Sequence, residues 1–164
     1  ADHFNSKFLA SGPFWGYPAP NNGRYGNIPY YKPTGYGVFL PSEKRLIEQT
    51  LTNAKSVWQL NGVGCVGGQA LLGIPIVDNL RKCLSTSVWP FEMENSKVVC
   101  AEIYPSIFPI EDPEVFKDAS QVKAVVNNFF TLDLEGQLEQ LMKVPMSLNN
   151  EIITHEGWIL GAKI

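Results

Sequence analysis

The chain has little of what most simple functional assignments rest on. Its 164 residues include three cysteines and two histidines. Cys65, Cys83 and Cys100 are odd in number, well separated and without a CxxC pair, which argues against a disulfide framework and against a clustered zinc site. They read as free thiols of a reducing compartment. Charge is also sparse, at 18% of residues, with 13 basic against 16 acidic side chains and a net charge of −3. Such a balance gives no broad cationic surface for a phosphate backbone. No apolar run approaches the roughly 18–20 residues of a membrane span, so no membrane partner is expected. The start, Ala1–Asn5, lacks the charge-then-apolar order of a secretion signal, and the cytoplasm is the expected location. There is no internal repeat, no Gly-x-Ser-x-Gly elbow and no basic run interleaved with aromatics. A hydrophobic fraction of 45% nevertheless excludes a disordered tail. The length reads as a single domain over 1–164.

The pattern along the chain is α/β. Residues 1–41 are crowded with proline, glycine and aromatic residues, so neither a long helix nor a strand ladder can run through them. They read as a loop covering a core over 42–164, with ligand contact as the other possibility. Beyond it, Ser42-Glu43 and the spacing of Leu46, Ile47, Thr50 and Leu51 predict a helix over 42–53. Ser56–Leu60 reads as a strand, residues 69–84 as a helix containing Pro75, and residues 86–91 and 97–104 as two more strands. Val98, Val99, Ala101 and Ile103 make the last of these nearly continuously apolar, as in a strand covered on both faces. Val115, Ala119, Val122, Val126 and Phe129 recur at i, i+4, i+7, i+11 and i+14, which predicts an amphipathic helix over 113–130 whose apolar face meets the core. A short helix over 133–142 and a tail docked by Trp158 complete the reading.

Two constellations could carry chemistry. Gly62-x-Gly64-x-x-Gly67 sits between a predicted strand and a helix, where glycines let backbone N–H groups approach a phosphate. The acidic residue that a dinucleotide site needs about 20 residues further on is missing, so a tight turn is the plainer reading. The other constellation starts from Glu102, in a strand that otherwise reads as buried. A carboxylate there needs either an ion-pair partner, such as Lys117 or Arg81, or a metal. Asp118, beside Lys117 in the first turns of the long helix, is a candidate second carboxylate and also a plain complement to the helix dipole. Glu48 is a poorer third.

Longer blocks carry a resemblance. Lys55–Gly67 followed by Leu72-Gly73-Ile74-Pro75 resembles the KSVFQLNGAGxVGTGSLRGMP block of an uncharacterised bacterial family. Trp89-Pro90-Phe91, Glu102–Ser106, Lys117–Ala124 and Glu156–Ala162 resemble its WPF, EIYPS, KDAxQVxA and EGWILGA blocks. Members of that family are similar to predicted nucleases of the RNase H-like superfamily. The resemblance implies an RNase H-like mixed sheet flanked by helices and a Mg²⁺-dependent hydrolase acting on nucleic acid by two-metal phosphoryl transfer. Glu102, Asp118 and Glu48 would then be metal ligands, and Lys117 would steady a phosphate. Family members are usually longer, with N-terminal strands carrying a further Asp; the chain resembles their C-terminal two thirds and is expected to be inactive alone. The family's GTGS is here Gly67-Gly68-Gln69-Ala70, without the two hydroxyls. A different class of reading needs no metal: a non-catalytic module taking a nucleotide or small cofactor between Gly62, Gly64, Gly67 and the aromatic loop of Trp15, Tyr17 and Tyr25. A third is a structural piece of a larger polypeptide, whose sign would be an exposed apolar patch or an open sheet edge.

Overall fold

A computed structural model describes residues 1–9, 11–17, 26–83, 85–92, 96–111, 113, 115–143, 150 and 152–162. The chain is mixed α/β and divides into two compact units, Ala1–Lys82 and Cys83–Ile164.

Most of the first unit is irregular backbone, as its proline and glycine content dictates. Its core gathers on a one-turn helix, α1 (Asp2–Asn5), and on the segment around Pro13 and Phe14. Asn5 is buried, and its side-chain amide donates to the carbonyls of Phe14 at 2.8 Å and Asn27 at 2.7 Å, while its Oδ1 accepts from the Phe14 N–H at 3.0 Å. The rings of Phe4, Phe14 and Trp58 pack on one another, the last two edge to face at 5.0 Å. The predicted helix over 42–53 contracts to α2 (Leu46–Thr50). Ser42 and Glu43 are drawn off elsewhere: the Ser42 carbonyl accepts from the Trp58 indole at 2.9 Å, and Glu43 pairs with Lys32 at 2.6 Å. Arg45 takes the capping position instead. Ser56–Leu60 forms no strand; a lone parallel bridge joins Trp15 to Gln59. The helix expected at 69–84 is present as α3 (Gly67–Cys83), with Pro75 inside it.

In the second unit β1 (Thr86–Val88) runs parallel to β2 (Val98–Cys100), with Thr86 opposite Val98 and Val88 opposite Cys100. Both strands are shorter than the sequence suggests. β1 ends before Pro90, which has no N–H for a ladder. Parallel pairs are ordinarily joined by a dozen or more residues that include a covering helix; this crossover is shorter, and no helix lies among its described residues. The expectation that β2 is covered on both faces fails: Val98 and Val99, on opposite faces, are 50% and 41% exposed. After a 3₁₀ turn at Pro105–Ile107 come α4 (Lys117–Leu134) and α5 (Leu138–Leu141). α4 starts four residues after Pro113, and Gly136, at φ 69°, lies between it and α5. A π-helical turn, Ile152–Glu156, leads to the tail, where Trp158, Ile159 and Leu160 are buried as expected of a docked end.

α4 buries only part of the predicted face. Its buried residues are Ser120 and Val125, and Phe129 meets Phe108 at 5.3 Å. Val122 and Val126, both on the predicted face, are 63% and 59% exposed, and Phe130, one turn beyond Val126 and outside the predicted set, is 62% exposed.

Candidate functional site

The three expected carboxylates differ in their immediate surroundings. Glu48 lies in the first unit, where Arg45 holds both of its oxygens: the backbone N–H donates to Oε2 at 2.9 Å, and Nε and Nη2 donate to Oε1 at 3.0 and 2.8 Å. That makes it a buried cap and ion pair for α2. Glu102 and Asp118 belong to the second unit, and both are exposed. The argument that Glu102 needs a partner because its strand is buried therefore loses its premise. The Glu102 backbone forms a parallel bridge to Ile159, and its carbonyl accepts from the Leu160 N–H at 2.8 Å. Asp118 and Lys117 occupy the first turn of α4, where the aspartate complements the helix dipole. Among the described residues no three His, Cys, Asp or Glu side chains come together.

The glycine turn is better assembled. The Trp15 N–H donates to the Trp58 carbonyl at 3.0 Å, and the Leu60 N–H donates to the Trp15 carbonyl at 2.9 Å, so Trp15 lies alongside the segment that enters the turn. Gly62 and Gly64 adopt φ of 123° and 73°, which only glycine takes without strain. Gly67 serves close packing at the start of α3: a Cβ there would stand 2.6 Å from the Gln59 carbonyl oxygen and 2.7 Å from that of Val57. Turn and packing thus account for all three glycines without a ligand. One atom stays unaccounted for: Trp15 Nε1 is buried and meets no hydrogen-bond partner among the described residues. Tyr17 is half-buried, and Tyr25 lies outside the described residues.

Perturbed titration occurs elsewhere. Burial, and then the charge of Glu43, raises the Tyr36 phenol well above its usual value; its hydroxyl donates to the Pro13 carbonyl. The hydroxyl bond ties Tyr36 to Pro13, and the Lys32 ammonium stands 5.9 Å from the Tyr36 ring centroid.

Sequence reasoning overlooked one concavity. A groove of about 410 Å³ lies between Pro109–Glu111 and a side of α4 that includes Lys123, Asn127, Asn128, Thr131 and Glu135. The signal was available, since Lys123, Asn127, Thr131 and Glu135 recur every four residues and so share one row of a helix.

No helix among the described residues is long and apolar enough to cross a membrane. No protein-family model, curated protein or solved structure matches the chain.

Proposed function

We propose that the chain is an assembly-dependent α/β module, which covers its parallel strand pair and the outward face of α4 with further polypeptide and has no catalytic activity by itself. One observation carries this reading: Val122, Val126 and Phe130 follow the period of a core-facing helix, yet the folded chain leaves them exposed. Two further features point the same way. β2 is open on both faces although parallel sheets are ordinarily covered on both. In α3, Leu71, Leu72, Ile74, Ile76, Val77 and Leu80 surround the helix and all are exposed, whereas a helix apolar all round belongs in a core. In this reading an RNase H-like phosphoryl-transfer role for Glu102, Asp118 and Lys117 belongs to the assembled body, which has to supply the remaining carboxylate.

The test is sedimentation and hydrophobic-dye binding of the chain beside a Val122→Glu/Val126→Glu variant. The expected result is that the parent binds 8-anilinonaphthalene sulfonate and self-associates at tens of micromolar, while the variant does neither and keeps the same circular dichroism. A parent that is monomeric and silent to the dye would overturn the proposal. So would Mg²⁺-dependent cleavage of RNA or DNA by the isolated chain that disappears in Glu102→Gln.

The small-ligand reading has one observation in its favour, the orphaned Trp15 Nε1 beside the turn. A buried indole N–H ordinarily finds an acceptor, and a ligand oxygen could serve. Quenching of tryptophan fluorescence by ATP in the parent chain, lost in Trp15→Phe, would favour it over the assembly reading of this region.

A further inference from the structure

We propose that Asn61, ahead of Gly62, is a deamidation site, where the side-chain amide is lost through a cyclic imide and the backbone is partly relinked as isoaspartate. The site lies in the first unit and is independent of the assembly reading. Asparagine is a thermolabile residue, and its fastest route of loss uses the backbone nitrogen of the next residue as nucleophile. Glycine is the best neighbour for that attack, because it has no Cβ to crowd the closing ring and the most backbone freedom to reach it. The sequence carries the pair twice, at Asn22-Gly23 and Asn61-Gly62, and the first lies outside the described residues.

A fold protects such a pair by burying it, by bonding the amide side chain or by bonding the N–H that would attack. None of the three holds here. Asn61 and Gly62 are both exposed. Among the described residues neither the Asn61 side chain nor the Gly62 N–H makes a hydrogen bond. The tie at this peptide group is on its carbonyl, which accepts from Gln59 Nε2 at 2.9 Å. A donor on that oxygen draws electron density out of the shared peptide resonance and makes the Gly62 N–H easier to deprotonate. Asn5 is the opposite case, at 1% exposure with its amide bonded to Phe14 and Asn27.

The step balances with water as its only co-reactant. Hydroxide takes the Gly62 amide proton, and the nitrogen's electron pair forms a bond to Asn61 Cγ. The Cγ–N bond of the side chain breaks, and that nitrogen leaves as ammonia with a proton from water. Water then opens the imide at either carbonyl. Opening at Cγ leaves aspartate, whereas opening at the backbone carbonyl routes the chain through Cγ as isoaspartate. Either product adds a negative charge. Isoaspartate also lengthens the backbone by a carbon, directly after the Leu60 N–H that donates to the Trp15 carbonyl.

The experiment is incubation of the whole chain at mildly alkaline pH, native and in urea, followed by tryptic peptide mapping with fragmentation that distinguishes isoaspartate. Arg24, Lys32 and Lys55 separate Asn22 from Asn61 in the digest, and Asn61→Gln is the control for Asn79 in the same peptide. In the native chain Asn61 should become a mixture with isoaspartate in excess, no more than about tenfold slower than in urea, as befits an exposed loop that opens at little cost. An Asn61 amide that stays intact in the native chain while it is lost in urea would overturn the proposal. So would aspartate without isoaspartate, or the same mass gain in the Asn61→Gln peptide.

Discussion

Among the described residues of 1–66 the backbone is mostly irregular, yet side chains tie distant parts of it together. Asn5 makes three hydrogen bonds across 9 to 22 residues of sequence, and the rings of Phe4, Phe14 and Trp58 pack on one another. In the second unit regular elements dominate, yet the strand pair and α4 expose apolar side chains. A loop can satisfy itself, because each polar group needs only one local partner. A strand or an amphipathic helix buries one whole face and must find a second element to bury it against. In the irregular region the buried amide of Asn5 is met, and the exposed apolar side chains, such as Leu9, Val38 and Val63, fall in no helical row; in the regular one Val122, Val126 and Phe130 do, and such a row calls for a partner.

The sharpest way to break that contrast is Asn5→Ala. Removing the amide leaves the N–H and carbonyl of Phe14 and the carbonyl of Asn27 without their partner, at a site 1% exposed. Urea unfolding should show a loss of about 3–4 kcal/mol, at the high end for a single substitution. A loss below about 1 kcal/mol would mean that the loop region is held by its aromatics alone.

The glycines at the start of α3 give the next effect. Gly67→Ala drives a Cβ against two backbone carbonyl oxygens, which cannot swing aside, and should cost about 2–3 kcal/mol. Gly68→Ala meets nothing within 4 Å and should stabilise the helix by about 0.5–1 kcal/mol. Opposite signs at adjacent glycines, read from thermal melts, would establish that packing keeps one of them and that no close backbone approach requires the other.

Those glycines also show how far the sequence could be read. The Gly62–Gly67 pattern announced a turn before a helix, and the turn and α3 are both there. Local signals with local causes were legible: the breaks that proline and glycine impose, the existence of α3 and α4, and the docking of Trp158. Long-range competition was not. Ser42 and Glu43 look like a helix start until Trp58 and Lys32 claim them. The carboxylates show the same limit. An acid in an apolar run suggests a buried charge, but Glu102 is exposed, and Glu48, the weakest of the three in the sequence, is buried with its Oε1 accepting two bonds from the Arg45 guanidinium. The helical period of α4 was correctly apolar on one side; nothing in it could tell that this side would not meet the chain's own core.

Val126→Glu sharpens the comparison from the other side. In a helix that buried the predicted face, a charge there would cost several kcal/mol. With Val126 exposed, the isolated chain should change by no more than about 0.5 kcal/mol. A much larger loss in a urea titration would place Val126 inside the chain's own core, and the case for a partner on α4 would fall with it.

Asp78 offers the smallest effect, and it separates helix-surface charge from both kinds of burial. Its carboxylate accepts from Lys82 at 2.5 Å and from Arg81 at 3.0 Å on α3. The Lys82 hydrogen bond first, and the Arg81 bond second, lower its pKa below the ordinary aspartate value. A carboxyl group whose pKa is lower folded than unfolded contributes stability that is complete above the unfolded value, near pH 4, and is lost as pH falls through the folded one. Melting temperatures of the parent and of Asp78→Asn should therefore differ by a small, constant amount from about pH 5 to pH 8, and the gap should close below about pH 4. Added salt should narrow it at neutral pH, because the group is exposed and its partners are screened. A gap that persisted at low pH would have to come from packing of the residue itself, and α3 would then be covered where the structure leaves it open.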